Sequence, residues 1–151
     1  MEVPKSVKDV QRLAGRLATL TRFVSRSTDR SLPFFKILKG IKKFEWTKEC
    51  EEAFAQLKAY LTQPPLLSKP KVGESILLYL AVSPTAVSSV LIREEGTTQL
   101  PIYYVSHSMV PAETRYPDIE KLALALLVSS RKLKPYFESH TIVMPTSYPL
   151  R

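Results

Sequence analysis

The first part of the chain carries apolar residues at helical spacing. Between residues 6 and 25 they recur every three or four positions, which predicts an amphipathic helix. Ser6 precedes this run and suits its N-cap position. Residues 26–31 are polar and predict a loop, and they are followed by a short helix over 34–39 with Pro33 in its first turn.

A second strong helical pattern covers residues 48–62. Thr47 suits its N-cap position, and three glutamates lie in the first turns, where the helix dipole favours negative charge. Pro64 and Pro65 forbid its continuation. Trp46 lies just before the cap. The Trp46 ring suits stacking on a nucleic-acid base, but packing against the basic helices is the favoured interpretation.

After residue 70 the pattern changes from helices to strands. Apolar runs over 75–80, 86–93 and 100–106 have the length of strands, and the third is rich in Tyr, Ile and Val. Gly96 lies between the second and third runs and marks a turn. Because the connections are short, the three runs predict an antiparallel meander.

One more helix and one more strand follow the meander. Residues 118–134 predict a helix, and it is expected to be buried on most sides because its residues 122–128 are all apolar. Residues 141–144 predict a fourth short strand. The chain as a whole is therefore expected to have an α+β fold.

Composition restricts the environment of the protein. The 151 residues include one cysteine, which excludes a disulfide framework and a cysteine-based zinc site. No run of about 18 apolar residues is present, so a membrane span is not expected. The first residues lack the apolar run of a signal peptide. We therefore expect a reducing, intracellular location, and composition does not decide between a cytoplasmic particle and the nucleus.

The positive charge is concentrated at one end of the chain. Of a net charge of +8, residues 1–46 supply +7, from eleven basic and four acidic residues. Lys8, Arg12 and Arg16 are four positions apart and share one face of the first predicted helix. Such a face suits either contact with nucleic-acid phosphates or a solvated helix surface, and charge alone does not decide between them.

Three stretches in a fixed order resemble the pol polyprotein of gypsy-type LTR retrotransposons. The first is Lys5-Ser-Val-Lys-Asp-Val-Gln-Arg-Leu-Ala-Gly with Arg22-Phe-Val. The second is Phe44-Glu-Trp-Thr-Lys-Glu-Cys-Glu-Glu-Ala-Phe-Ala-Gln-Leu-Lys, ending in Pro64-Pro-Leu-Leu. The third is Pro101-Ile-Tyr-Tyr-Val-Ser, followed by Glu113-Thr-Arg-Tyr and Glu120-Lys. The resemblance implies the end of a reverse transcriptase, its thumb or connection, followed by an RNase H-like domain.

The resemblance also implies a division of the chain. Residues 1–46 are expected to form a basic helical thumb segment, and residues 47–70 a connecting helix and Pro-rich linker. Residues 71–151 are expected to form a degenerate RNase H-like domain that is truncated at its C-terminal end. The Tyr-X-Asp-Asp motif of the polymerase palm is absent from the sequence. Polymerase, downstream nuclease and integrase are therefore expected as partner parts of the polyprotein.

The family's metal-binding carboxylates fall on uncharged residues here. The resemblance places them at Ala81, Leu122 and Thr146, none of which can neutralise two divalent cations. No cofactor is therefore expected, and Mg²⁺ would be needed only if the nuclease were active. A shifted alignment would make Glu120 a ligand. Positions 120 and 122 lie about 200° apart on a helix, so both cannot face one site.

Three functions follow as hypotheses. The main one is a non-catalytic tether that contacts the backbone of an RNA–DNA template–primer through Lys5, Lys8, Arg12, Arg16 and Arg22. The first alternative is an active metal-dependent RNase H-type endonuclease, which would use Glu120 and Asp118 with Mg²⁺. The second alternative is a decayed genomic fragment without function.

Overall fold

The computed structural model describes residues 1–40, 43–63 and 66–147. Three helices come first, and a four-stranded sheet with two further helices follows, so the predicted α+β class is confirmed. The predicted helix stop at Pro64 and Pro65 lies outside the described residues.

Two of the first three helices begin at the caps predicted from the sequence. Helix α1 spans Val7–Thr19, and the Ser6 Oγ accepts a hydrogen bond from the Asp9 N–H at 3.2 Å. Helix α3 spans Lys48–Thr62, and the Thr47 Oγ1 accepts from the Cys50 N–H at 3.3 Å. Within the described ranges, no helix is both long enough and apolar enough to cross a bilayer.

Helix α1 is shorter than the predicted range of 6–25. After its last residue, Thr19, the chain tightens into a 3-10 turn over Thr21–Phe23. Thr19 and Thr21 each donate a side-chain hydrogen bond to a carbonyl three residues earlier, at 2.7 and 3.3 Å. Such bonds compete with the helical ladder. Val24 then leaves the turn in an extended conformation and is buried.

The second helix corrects the prediction of a loop over 26–31 and a short helix over 34–39. Helix α2 runs without interruption over Ser27–Lys39, with Pro33 inside it. Two serines in its first half are buried, so the face that packs is partly polar. Hydrophobic periodicity cannot detect a helix whose buried face carries small hydroxyl groups.

The three helices share one core, which consists of Val10, Leu13, Leu17, Phe34, Cys50, Phe54 and Leu57. Trp46 packs against this core: its ring stacks on Phe34 at 5.8 Å and meets Phe54 edge-on at 5.9 Å. Its Nε1–H donates to the Glu51 carboxylate at 2.7 Å. Trp46 is thus a packing residue, and α3 belongs to the same core as α1 and α2.

The meander forms as predicted and gains a parallel neighbour. The meander consists of strands β1 (Ile76–Val82), β2 (Ala86–Glu95) and β3 (Thr98–Ser108). Each strand pairs antiparallel with the next one along the chain. Gly96 makes the β2–β3 turn with a φ of +62°, in the region that favours glycine. Strand β4 (Ile142–Val143) pairs parallel to the start of β1, so the strand order is β3-β2-β1-β4.

Helix α4, Asp118–Lys132, packs on the sheet. The expectation that it is buried on most sides is wrong. Only Ala125 and Ser129 of this helix are fully buried, and Leu127 is 46% exposed. The Ser129 Oγ lies 2.6 Å from the Ser89 Oγ of β2, so a polar contact joins helix and sheet. The helix ends two residues before 134, and an additional helix α5 follows at Lys134–Ser139.

Helix α2 is attached to the sheet by hydrogen bonds. One carboxylate oxygen of Asp29 accepts from the Ser83 Oγ at 2.9 Å and from the Thr85 Oγ1 at 3.0 Å, both in the β1–β2 turn. The Thr28 N–H donates to the Ser106 Oγ of β3 at 3.1 Å. The basic helical part and the sheet therefore have a defined relative orientation.

A buried arginine holds the segment that enters the sheet. Arg93 of β2 is 6% exposed, and its guanidinium contacts the carboxylates of Glu74 and Glu95, each at 3.3 Å. The Lys71 N–H donates to the Glu74 carboxylate at 2.7 Å. The His140 Nδ1 lies 2.8 Å from the Glu74 carbonyl. Glu74 thus joins the chain before β1 to β2 and to the residue after α5.

We predict that Glu74→Gln reduces the acid sensitivity of folding. The Lys71 N–H, followed by Arg93, lowers the pKa of the Glu74 carboxyl below its ordinary value of 4.5. A carboxylate with a lowered pKa stabilises the fold above pH 4.5, and this contribution disappears as the pH falls through the lowered value. Urea unfolding across acidic pH measures the effect. Glu52→Gln, on the exposed side of α3, is the control, and equal pH profiles for the two variants would contradict the prediction.

Candidate functional site

A cleft opens where β1 ends beside the start of α4, and we call it the β1–α4 cleft. Its volume is about 510 Å³. It is lined by Leu80, Ala81, Val82, Ser83, Pro84, Thr114, Asp118, Lys121 and Leu122. The structure therefore brings together two of the three positions at which the sequence resemblance expects metal ligands, one from the strand and one from the helix.

The lining of the β1–α4 cleft is poor in metal-binding groups. Asp118 supplies the one carboxylate among the lining side chains, and Lys121 places an ammonium group one helical turn away. The side chains of Ala81 and Leu122 consist only of carbon and hydrogen and offer no metal ligand. In the described ranges, no group of three or more His, Cys, Asp or Glu side chains is arranged to hold a metal ion. This donor set does not fit two divalent cations, which several carboxylates must clamp.

The remaining positions named for the metal site lie apart from this lining. Glu120 is exposed on α4, about 200° around the helix from both Asp118 and Leu122. Thr146 is exposed in the segment after β4. Of the two carboxylates named for an active nuclease, the structure thus brings Asp118 to the cleft and leaves Glu120 on another face of the helix.

The predicted basic stripe lies on the surface of α1. Lys5, Arg12 and Arg16 line a groove of about 340 Å³ between α1 and the first residues of the chain, which we call the α1 groove. Lys8 is exposed on the same helix. The side chains of Lys5, Lys8 and Arg16 have no acidic partner within the described residues, so their charges are available to a ligand.

Asp9 lies inside the basic stripe and reduces its charge. Its carboxylate is 3.7 Å from the Arg12 guanidinium and accepts the Lys5 N–H at 3.2 Å. The Lys5 N–H lowers the pKa of Asp9 most, and Ser6 and Arg12 lower it further. The spacing of the cations alone does not reveal this ion pair, although the position of Asp9 three residues before Arg12 is a sequence signal for it.

Arg22 is not part of the α1 stripe, because α1 ends at Thr19. It lies in the 3-10 turn that follows, and its guanidinium carbon is 5.5 Å from the centre of the Phe23 ring. The same carbon is 4.9 Å from the centre of the Tyr103 ring on β3. Of the five cations predicted to bind nucleic acid, four therefore lie on α1 or directly before it. The fifth, Arg22, lies at the junction with the sheet.

The family follows from a comparison with known proteins. A family model described as an RNase H-like domain found in reverse transcriptase matches residues 46–144. The chain belongs to this family. The matched RNase H-like region begins at Trp46, so it includes α3 as well as the sheet and α4.

Curated relatives of this RNase H-like chain are retrotransposon polyproteins, which confirms the predicted resemblance. The Retrovirus-related Pol polyprotein from transposon 412 of Drosophila melanogaster is 28% identical over 146 residues, 97% of this chain and 12% of the relative. The Transposon Tf2-3 polyprotein of Schizosaccharomyces pombe is 28% identical over 137 residues, 90% of this chain and 10% of the relative. The chain thus spans about a tenth of the length of these relatives.

Solved structures with the same fold come from foamy viral protease-reverse transcriptases. One is a foamy viral protease-reverse transcriptase dRH in complex with double-stranded DNA. It has a TM-score of 0.75 at 18% identity, and the match covers 99% of this chain and 27% of the viral chain. Another, in complex with an RNA/DNA hybrid, has a TM-score of 0.73 at 18% identity, and the match covers 96% of this chain and 20% of the viral chain. Both similarities show the fold of the RNase H-like chain and its preceding helices.

Proposed function

We propose that this RNase H-like chain is a non-catalytic part of a retrotransposon reverse transcriptase that holds a nucleic-acid duplex. The observation that carries the proposal is the lining of the β1–α4 cleft, where Ala81 and Leu122 occupy the expected ligand positions. The single carboxylate there, Asp118, stands one turn from the positive charge of Lys121. Such a cleft lacks the negative charge that holds a pair of Mg²⁺ ions over a phosphodiester.

The α1 stripe supplies the contact with the duplex in this proposal. Its exposed cations would lie against backbone phosphates, which fixes position without recognising sequence. The foamy viral structures with double-stranded DNA and an RNA/DNA hybrid support a nucleic-acid partner for this fold. Because α2 is bonded to the β1–β2 turn through Asp29, a duplex held by α1 also has a fixed orientation relative to the RNase H-like sheet.

The proposal predicts salt-dependent binding of an RNA–DNA hybrid by the purified chain. Each neutralised phosphate releases counterions, so the logarithm of the association constant falls with the logarithm of salt concentration by about 0.9 per contact. Three or four contacts from α1 therefore give a slope of about −3. Fluorescence anisotropy with a labelled hybrid between about 50 and 200 mM salt measures it. Affinity that does not change with salt would refute the duplex contact.

An active endonuclease remains the second candidate, because Asp118 does reach the β1–α4 cleft. The tether proposal predicts no cleavage of a labelled RNA–DNA hybrid when the purified chain is incubated with Mg²⁺. Cleavage that disappears in Asp118→Asn or in Glu120→Gln would establish the endonuclease instead. Cleavage that persists in both variants would identify a contaminating nuclease, and salt-dependent binding would then still test the tether.

A further inference from the structure

Four side chains form a mixed cationic and aromatic cluster where the 3-10 turn meets the edge of the sheet. We call Arg22, Phe23, Tyr103 and Tyr136 the Arg22 cluster. The Arg22 guanidinium lies over two rings, at 5.5 Å from the centre of Phe23 and 4.9 Å from that of Tyr103. Tyr103 in turn meets Tyr136 of α5 edge-on at 6.4 Å. The cluster thus joins the helical part, the edge strand β3 and α5.

The hydrogen-bonding edge of Arg22 is unused. Three other arginines have carboxylate partners: Arg12 contacts Asp9, Arg26 contacts Asp29, and Arg93 contacts Glu74. Arg22 is exposed and lies over the two rings, and within the described residues its guanidinium makes no hydrogen bond and no ion pair. A contact of a cation with an aromatic ring is electrostatic and does not use up the N–H donors of the guanidinium. These donors suit a phosphate oxygen or the edge of a base.

Phe23 is the exposed aromatic residue of the cluster, and its backbone is held in place. Phe23 is 37% exposed, whereas the other five phenylalanines are buried or half-buried. Its carbonyl accepts the Tyr60 hydroxyl at 3.3 Å, and its N–H donates to the Leu20 carbonyl at 3.0 Å. The turn therefore presents the Phe23 ring to solvent from a fixed backbone, which lowers the entropy cost of binding a flat ligand.

We propose that the Arg22 cluster binds unpaired nucleotides of a single-stranded nucleic acid. An aromatic ring and a planar guanidinium offer stacking surfaces, and a base is free to stack on them only when it is not enclosed in a duplex. The free guanidinium donors would bind the adjoining phosphate. The inference rests on the proposed function in one respect, namely that the chain contacts nucleic acid. It adds a second contact, distinct from the α1 stripe, for a strand that extends beyond the duplex.

Two conservative substitutions test the cluster while keeping the positive charge at one position and an apolar side chain at the other. Arg22→Lys keeps the positive charge and removes the planar stacking group, and Phe23→Leu keeps an apolar side chain and removes the ring. Each is expected to lower the affinity for a short labelled oligo(dT) strand by about 5- to 100-fold, with little change in the affinity for a blunt duplex. Fluorescence anisotropy at fixed salt measures both affinities. Arg26→Lys, a charge-preserving change at a nearby exposed arginine, is the matched control.

The outcomes separate the cluster from the α1 stripe. Loss of oligo(dT) binding in both cluster variants, with unchanged duplex binding and unchanged thermal melting, supports the inference. Wild-type oligo(dT) affinity in both variants overturns it, and so does an equal loss for single strand and duplex. If the wild-type chain binds oligo(dT) but not the duplex, the proposed tether fails while the Arg22 cluster stands. If it binds the duplex but not oligo(dT), the reverse holds.

Discussion

Replacing Lys8, Arg12 and Arg16 together by glutamine is expected to weaken binding of an RNA–DNA hybrid by roughly 100-fold, at about 1 kcal/mol for each lost phosphate contact. The three side chains are exposed on α1, and glutamine retains a good helix propensity, so the fold is expected to persist. The slope of the logarithm of affinity against that of salt should fall by about 1 for each residue. Anisotropy titrations at several salt concentrations measure both quantities.

The matched control removes three positive charges from other parts of the surface. Lys69, Arg131 and Lys132 are exposed and lie outside the α1 groove, so their replacement by glutamine changes net charge equally. If the control weakens binding as much as the α1 variant, the duplex contact is a property of net charge and not of α1. Asp9→Asn provides a test of opposite sign, because it removes the acid that partners Arg12 and should strengthen binding.

Local sequence patterns predict the antiparallel meander because its determinants are local. The strands of the meander follow apolar runs, and Gly96 supplies the positive φ of the turn between β2 and β3. The start of α2 is different. Its first turn is polar because Thr28 and Asp29 bond to groups on the sheet that lie 54 to 78 residues later in the chain. No window of neighbouring residues contains that information.

The candidate sites divide in the same way. The sequence assigns Ala81 and Leu122 to one site because the family resemblance aligns each of them to a metal-ligand position. The fold then brings both to the β1–α4 cleft. The surroundings of Arg22 could not be predicted from spacing. They depend on the early end of α1 at Thr19 and on contact with Tyr103, a residue of the edge strand 81 positions later. Helix periodicity alone groups Arg22 with the α1 stripe.

The helical part depends on an aromatic contact at its centre. Phe54 of α3 is 2% exposed, and its ring meets the edge of Trp46, whose face stacks on Phe34. Three separate segments of the chain thus meet at one cluster. A truncation here leaves a cavity between elements that are each fixed by other contacts, so collapse cannot fill it. The loss of stability should therefore be near the upper end of the range for core substitutions.

Phe54→Ala is accordingly expected to destabilise the chain by about 3 to 5 kcal/mol, a large part of the roughly 5 to 15 kcal/mol that holds a typical domain together. Urea unfolding, monitored by the fluorescence of Trp46, measures the loss in the free energy of unfolding. Trp46 is the single tryptophan, and its ring is the one that loses the contact. Phe23→Ala is the matched control and should cost less than about 1 kcal/mol because its ring is partly exposed. Equal unfolding midpoints for the two variants would contradict the role of the Phe54 contact. A wild-type chain that unfolds without cooperativity would instead indicate a decayed fragment.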